Sequence, residues 1–179
     1  MSRVVGPIMV NGMPMLEPPD YHHLRAAMGW LELGNNEEAK ADIAKIAEGL
    51  RKHPDVLEVL WMIQATEDDW TAALATARSL IQIEPNRYEG WLHQAYALRR
   101  VSDGGLKAAW DALLPVASQF PSEPTIPYNL SCYACQMGQI DEARQWLQRA
   151  AGVGDKARIK SMALADPDLQ ALWKEVSEW

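Results

Sequence analysis

Four alanines determine the organisation of this chain, because each lies in a similar local context and they recur at nearly equal intervals. Ala39, Ala73, Ala109 and Ala143 are separated by 34, 36 and 34 residues. Repetition at a period of about 20 to 50 residues is typical of stacked supersecondary units. The chain is therefore predicted to be a short repeat array.

Two rows of apolar residues repeat together with the alanines. They lie four and seven residues after each alanine, which is the spacing of one face of an α-helix. The rows are Ile43, Ala77, Leu113 and Leu147, and then Ile46, Leu80, Val116 and Ala150. Pro54, Pro85 and Pro121 end these stretches, and a second apolar-periodic stretch lies between each proline and the next alanine. Because proline ends one helix and favours the start of another, each unit is predicted to be a helical hairpin.

The same periodicity predicts where the helices begin and end. Pro115 falls inside one predicted helix and should kink it. Asp166-Pro167-Asp168 has the form of a helix start, with Asp as N-cap and Pro in the first turn. Residues 152–179 are therefore predicted to be capping helices that close the array. The predicted repeat helices are 20–33, 36–52, 55–66, 69–83, 87–101, 104–119, 125–137 and 140–151.

These motifs resemble the tetratricopeptide repeat (TPR) family. The last unit carries Asn129-Leu130-Ser131, Met137-Gly138 and Asp141-Glu142-Ala143, and the first unit carries Leu33-Gly34 and Glu38-Ala39. Trp61 departs from the family pattern, which usually has a small residue there, and residues 102–105 are additional. The resemblance covers residues 20–151 and implies an all-α fold: a right-handed α-α superhelix of about four helical hairpins with a C-terminal capping helix pair.

The resemblance also implies where a partner would bind, because the first helices of TPR hairpins line a concave groove. The side chains expected on that face are mostly apolar, and Met and Tyr suit contact with a peptide. We therefore expect a protein-protein interaction module, or adaptor, that binds an extended peptide or amphipathic helix of another protein. The competing interpretation is that the same stripe is internal packing. The predicted groove residues are Leu24, Met28, Glu58, Met62, Leu92, Tyr96, Arg99, Tyr128 and Cys132.

Two other functions remain open from the sequence. Residues 1–19 are apolar and proline-rich, and Arg3 and Glu17 are their only charged residues. Asn11-Gly12 within them resembles a hairpin turn. This segment is expected to pack into the groove of its own chain or of a second copy, which would give a self-occupied or homo-oligomeric scaffold. The other possibility is a client-holding chaperone similar to the small acidic TPR chaperones of secretion systems.

Charge and hydropathy exclude several other classes of partner. The net charge is −7 and the pI is about 5.1, with no run of Lys and Arg, so neither nucleic acid nor an anionic membrane is an expected ligand. Residues 20–71 hold 11 acidic and 5 basic residues. No apolar stretch approaches the roughly 18 residues of a membrane-spanning helix, and no signal peptide is evident. A cytoplasmic location is therefore expected.

The sequence contains no constellation that is typical of an enzyme or a metal site. Cys132-x-x-Cys135 lacks a second pair of zinc ligands, and it lacks the preceding strand of a thioredoxin-like redox motif. His22 and His23 are adjacent on a helix and so point to different faces. His93 has no nucleophile placed by spacing beside it. We therefore predict no catalytic activity, no metal and no cofactor, with Cys132 and Cys135 as buried apolar residues.

Overall fold

The computed structural model describes residues 9–10 and 13–179, which are almost entirely helical. A two-residue antiparallel ladder, β1 (Met9–Val10) and β2 (Met13–Pro14), precedes the helices. Two 3-10 turns, Glu48–Leu50 and Pro167–Leu172, interrupt them. The prediction of an all-α fold is confirmed. The helices are α1 (Asp20–Glu32), α2 (Asn36–Lys45), α3 (Pro54–Thr66), α4 (Trp70–Ile83), α5 (Tyr88–Leu98), α6 (Leu106–Leu113), α7 (Val116–Gln119), α8 (Thr125–Gln136), α9 (Ile140–Val153), α10 (Lys156–Ala165) and α11 (Trp173–Ser177).

The chain divides into two compact units, Met1–Pro85 (unit 1) and Asn86–Trp179 (unit 2). In unit 1, α1 pairs with α2 and α3 pairs with α4. In unit 2, α5 pairs with α6 and α8 pairs with α9. The four repeating alanines each lie on the second helix of a pair, and all four are completely buried. A small side chain at that position lets the two helices approach closely, so the repeat period corresponds to four helical hairpins, as predicted.

Unit 1 has its own apolar core, formed by one face of each of α1, α2 and α3. Leu16, which precedes α1, packs against this core. The hairpin turn predicted at Asn11-Gly12 lies outside the described residues, although the strands on either side of it pair with Val10 opposite Met13. The buried core residues are Leu24, Ala27, Ala39, Ile43, Ile46, Val56, Val59 and Ile63.

The core of unit 2 is built around α8. Ile126, Leu130 and Tyr133 of this helix are almost completely inaccessible. Helix α8 packs against α9 and α6, and also against the Pro167–Leu172 turn that follows α10. Leu169 and Leu172 of that turn belong to the same apolar cluster. The C-terminal residues are therefore part of the core of this unit.

One predicted helix is shorter than expected. The sequence predicts a helix over 36–52, but α2 ends at Lys45, and Ile46 and Ala47 are extended. Side chains bind the backbone groups that this break leaves unpaired. Asp20 accepts a hydrogen bond from the Ala47 amide at 2.7 Å, and Arg51 donates to the carbonyls of Ala44 and Ile46. At Pro115, where the sequence predicts a kink within one helix, the structure has two helices, because α6 ends at Leu113 and α7 begins at Val116.

A buried carboxylate joins α1 to α2 in unit 1. Asp42 accepts hydrogen bonds from Trp30 Nε1 at 3.0 Å and from Lys45 Nζ at 2.6 Å, and His23 Nδ1 lies 3.6 Å away. The bond from Lys45 lowers the pKa of Asp42 most, and the Trp30 bond lowers it further, against the opposing effect of burial. The folded state therefore favours ionised Asp42.

We predict that Asp42→Asn destabilises unit 1 in a pH-dependent way. At pH 7 the variant should lose about 1 to 2 kcal/mol of unfolding free energy, because the charged hydrogen bond to Lys45 is lost. Since the pKa of Asp42 is lower in the folded than in the unfolded chain, its contribution is complete above about pH 4 and disappears as the pH falls further. Urea unfolding at pH 7 and pH 3 measures both effects.

The matched control is Asp111→Asn, which removes an exposed carboxylate bonded to Lys107 and should change the free energy of unfolding by less than about 0.5 kcal/mol. A stability difference between Asp42→Asn and the parent protein that is the same at both pH values would contradict the prediction.

Candidate functional site

In unit 2, several predicted groove residues contact the C-terminal segment of the same chain. Tyr128 Oη donates a hydrogen bond to Asp166 Oδ2 at 3.0 Å, and Cys132 Sγ lies 3.5 Å from the same oxygen. One turn further along α8, Gln136 Nε2 donates to the Asp168 carbonyl at 3.2 Å. We call Tyr128, Cys132 and Gln136 the α8 face. The chain itself covers Tyr128 and Cys132 of this face, and Gln136 lies at its exposed end.

Arg99 holds the same segment from the end of α5. Its Nη1 and Nη2 both donate to the Asp168 carboxylate, with Nη2 at 3.0 Å. The two side chains are about three-quarters buried, at 23% and 25% exposed. A guanidinium that binds both oxygens of a carboxylate fixes its orientation as well as its position. Arg99 was predicted to be a groove residue, and the structure pairs it with a carboxylate of its own chain.

The C-terminal segment has a local reason to adopt this conformation. Asp166 is the N-cap of the turn, and its Oδ1 accepts the Asp168 amide at 3.0 Å while Oδ2 faces Tyr128. Trp173 Nε1 donates to the carbonyls of Ala163 and Asp166 and so ties the end of the turn to α10. Segment 166–172 therefore presents carboxylates beside the apolar side chains that enter the core.

Burial changes the acid-base properties of the α8 face. Tyr128 and Cys132 are 6% and 4% exposed, and burial is the main reason that the pKa of each is raised well above its ordinary value. The negative charge of Asp166 raises both further. Burial also raises the pKa of Cys135. Because the thiolate is the nucleophilic form of cysteine, these thiols are kept in their unreactive form.

The two remaining predicted groove residues of unit 2 lie on α5. Leu92 is half-buried and packs against the core of this unit. Tyr96 is more exposed, and the Arg100 guanidinium lies 3.6 Å above the centre of its ring. This stacked pair is a contact between an aromatic ring and a cation. Tyr96 is 38% exposed, which is more than any other predicted groove residue of unit 2.

In unit 1, the predicted groove residues lie on two helices that contact each other, α1 and α3. Met28 of α1 and Met62 of α3 are each 43% exposed, as is Tyr21 at the start of α1. Leu24 lies beneath them in the core, and Glu58 is half-buried one turn before Met62. We call Tyr21, Met28, Glu58 and Met62 the α1/α3 face. It presents large apolar side chains to solvent.

Sequence reasoning did not find the partners of the α8 face. Asp166 and Asp168 were recognised as a helix start, but not as ligands of Tyr128 and Arg99. Arg99 and Asp168 are 69 residues apart, so no local spacing connects them. The sequence contains one signal for this pairing: Arg99 lies on the predicted groove, and the capping segment carries Asp166 and Asp168.

Within residues 9–10 and 13–179, no group of three or more His, Cys, Asp or Glu side chains is placed to hold a metal ion. In the same part of the chain, no helix has both the length and the apolar character needed to cross a bilayer.

We predict that Asp168→Asn destabilises unit 2 by about 1 to 2 kcal/mol, because the largely buried guanidinium of Arg99 loses its charged partner. Chemical unfolding measures this change. Lys107 and Asp111 provide the comparison, since they also form an ion pair between a cation and a carboxylate, but an exposed one. Asp111→Asn should have an effect below about 0.5 kcal/mol. Equal losses in the two variants would show that the Arg99 pair does not stabilise the C-terminal segment.

The chain is similar to known proteins in structure, whereas comparison of its sequence finds no match. No protein-family model matches the sequence, and no curated protein matches it. A thermophilic TPR protein of Thermus thermophilus, TTC0263, superposes with a TM-score of 0.67 at 20% identity, over 87% of this chain and 82% of that one. MamA of Desulfovibrio magneticus RS-1, from residue 41 to its end, gives a TM-score of 0.65 at 16% identity, over 92% and 96% of the two chains. A double mutant of the same MamA gives equal values.

TM-scores of 0.65 and 0.67 establish similarity of fold, and at identities of 16 to 20% the similarity is one of fold alone. Both of these proteins are similar to the chain along most of their length. The sequence motifs and the helical hairpins agree with this result. The chain therefore has the tetratricopeptide repeat fold that the resemblance of its motifs implies.

Proposed function

We propose that the chain is a protein-protein interaction module and that its α1/α3 face binds a helix or extended peptide of a partner protein. The observation that carries this proposal is the exposure of Tyr21, Met28 and Met62, each 43% accessible on two helices in contact. Large apolar side chains grouped on a surface are typical of binding sites. Methionine adapts its shape to a partner, and tyrosine gives a large contact area with a polar tip.

The tetratricopeptide fold supports this location. The resemblance to that family implies that the first helix of each hairpin faces the ligand, and α1 and α3 are the first helices of their pairs. Met28 and Met62 are 34 residues apart, which is one repeat period, and so they occupy equivalent positions. A ligand that lies along this face would contact both methionines.

The proposed mechanism is recognition without a chemical step. Cysteine is the strongest nucleophile among the predicted groove residues, and burial keeps the thiol of Cys132 protonated. Its neighbour Asp166 is a carboxylate that disfavours the thiolate further, and not a base that would activate it. The buried, protonated thiol of Cys132 therefore suits a packing role and not that of a nucleophile.

The self-occupied scaffold expected from the sequence has residues 1–19 as its occupant, and unit 2 has a related arrangement with a different occupant. There the C-terminal segment covers the α8 face, as a resident ligand would. The N-terminal segment, expected from the sequence to fill the groove, contacts the core of unit 1 through Leu16. A homo-oligomer and a client-holding chaperone are distinguished from an adaptor by the experiment below.

We predict that a photo-crosslinking amino acid at position 28 or 62 captures a partner protein in cells that express the native chain. Position 162 is the matched control, because Met162 is similarly exposed, at 39%, but belongs to α10 of unit 2. The expected result is a discrete adduct from positions 28 and 62, and none from position 162. Gel electrophoresis and mass spectrometry identify the adduct.

Each alternative gives a different product. An adduct of twice the mass of the chain would indicate a homo-oligomer, and many adducts of diverse mass would indicate a chaperone with several clients. Equal capture from position 162 would show that exposure, and not the α1/α3 face, determines crosslinking, and would contradict the proposal. Replacing Met28 and Met62 by Ala should weaken a genuine complex about tenfold or more, since buried anchors carry most of the binding energy.

A further inference from the structure

Unit 2 provides an example of how a helix face in this chain accommodates a short helical segment. Segment 166–172 lies against α8, and its Leu169 and Leu172 are buried. Its two carboxylates precede these leucines, and there Asp168 meets Arg99 and Asp166 meets Tyr128. The occupant therefore combines buried apolar side chains with a carboxylate that meets a cationic side chain.

The α1/α3 face has the same apolar centre but the opposite charge around it. Glu32 follows Met28 by four residues, and Asp55 precedes Met62 by seven, so each lies on the stripe of its methionine. Both carboxylates are exposed. Arg25, three residues before Met28, is the cationic residue of this pair of helices. The acids of α1 and α3 are Asp20, Glu32, Asp55 and Glu58.

The charge of the whole unit agrees with this local pattern. Residues 1–85 contain 13 acidic and 7 basic residues, whereas residues 86–179 contain 11 and 10. The net charges are therefore −6 and −1. A field of one sign over a binding surface raises the association rate of oppositely charged ligands and disfavours ligands of the same sign. The charge of unit 1 thus favours a cationic partner.

We infer that the partner of the α1/α3 face is a basic amphipathic helix. This inference rests on the proposed function and deepens it by naming the chemistry of the ligand. The helix inserts two or more apolar side chains, spaced three or four residues apart, between Met28 and Met62. Its Lys and Arg side chains lie beside Glu32 and Asp55. Segment 166–172 has the complementary charge, because it joins buried leucines to a carboxylate, Asp168, that meets Arg99.

The test is selection from a displayed library of 14-residue helices. Their apolar positions are fixed as Leu and Ala, and their polar positions are randomised among Lys, Glu and Gln. The bait is the full chain, and binding of the recovered peptides is measured by fluorescence anisotropy at low and high salt. We expect recovered peptides in which Lys exceeds Glu at the polar positions, with affinity that falls as salt rises.

Three variants separate the two claims. Met28→Ser with Met62→Ser should weaken binding about tenfold or more. Glu32→Gln with Asp55→Asn, which changes two exposed side chains and leaves the core intact, should weaken binding about threefold or more at low salt and less at high salt. Met162→Ser is the control on α10 and should change nothing.

Peptides that depend on Met28 and Met62 but carry no excess of Lys would overturn the inference of a basic partner and leave the proposed function standing. Peptides that bind the double Ser variant as well as the parent chain would overturn the proposed function itself, and the inference with it. Failure to enrich any peptide over the double Ser variant would have the same meaning.

Discussion

The close contact between the two helices of each hairpin is the constraint on which this structure depends. One alanine from the second helix lies at each contact, and Ala39, Ala73, Ala109 and Ala143 are all completely buried. A larger side chain there would push the helices apart, because protein interiors are closely packed and tolerate little additional volume. The same position of each hairpin therefore carries alanine, and these alanines recur at a nearly constant interval along the chain. The helices on either side of them vary much more in sequence.

The second helix of each hairpin packs against one side of the first helix. Another face of the first helix then remains to be covered by a different segment of the chain or by a partner. In unit 2 the chain covers the α8 face itself, and Tyr128 and Cys132 become interior residues with raised pKa values. In unit 1 the equivalent stripe keeps Met28 and Met62 substantially exposed. The same backbone design thus gives a structural face in one unit and an open face in the other, and the difference lies in the segment that follows α10.

The sequence predicts what is local and periodic. Helical spacing places the starts of the hairpin helices to within about two residues. Pro115 predicts the irregularity between α6 and α7, and Asp166 is the N-cap that the sequence indicates. Contacts between distant residues are not accessible in this way. The early end of α2 depends on Asp20 and Arg51, which bind the freed backbone groups, while the apolar spacing through Ile46 continues the helical pattern. Spacing likewise assigns residues to a face but does not show which segment covers that face.

Energetic considerations favour the α1/α3 face over the α8 face as the place for an external ligand. The C-terminal residues Leu169, Leu172 and Val176 are at most 2% exposed. Burial of each such side chain contributes about 1.5 to 3 kcal/mol. A ligand that displaced this segment from α8 would first lose that free energy, which is a large part of the roughly 8 kcal/mol of a micromolar complex. Met28 and Met62 impose no such cost, because within the described part of unit 1 their side chains are already open to solvent and a partner can bury them further. Binding of a partner at the proposed α1/α3 face therefore does not require the core of unit 2 to open.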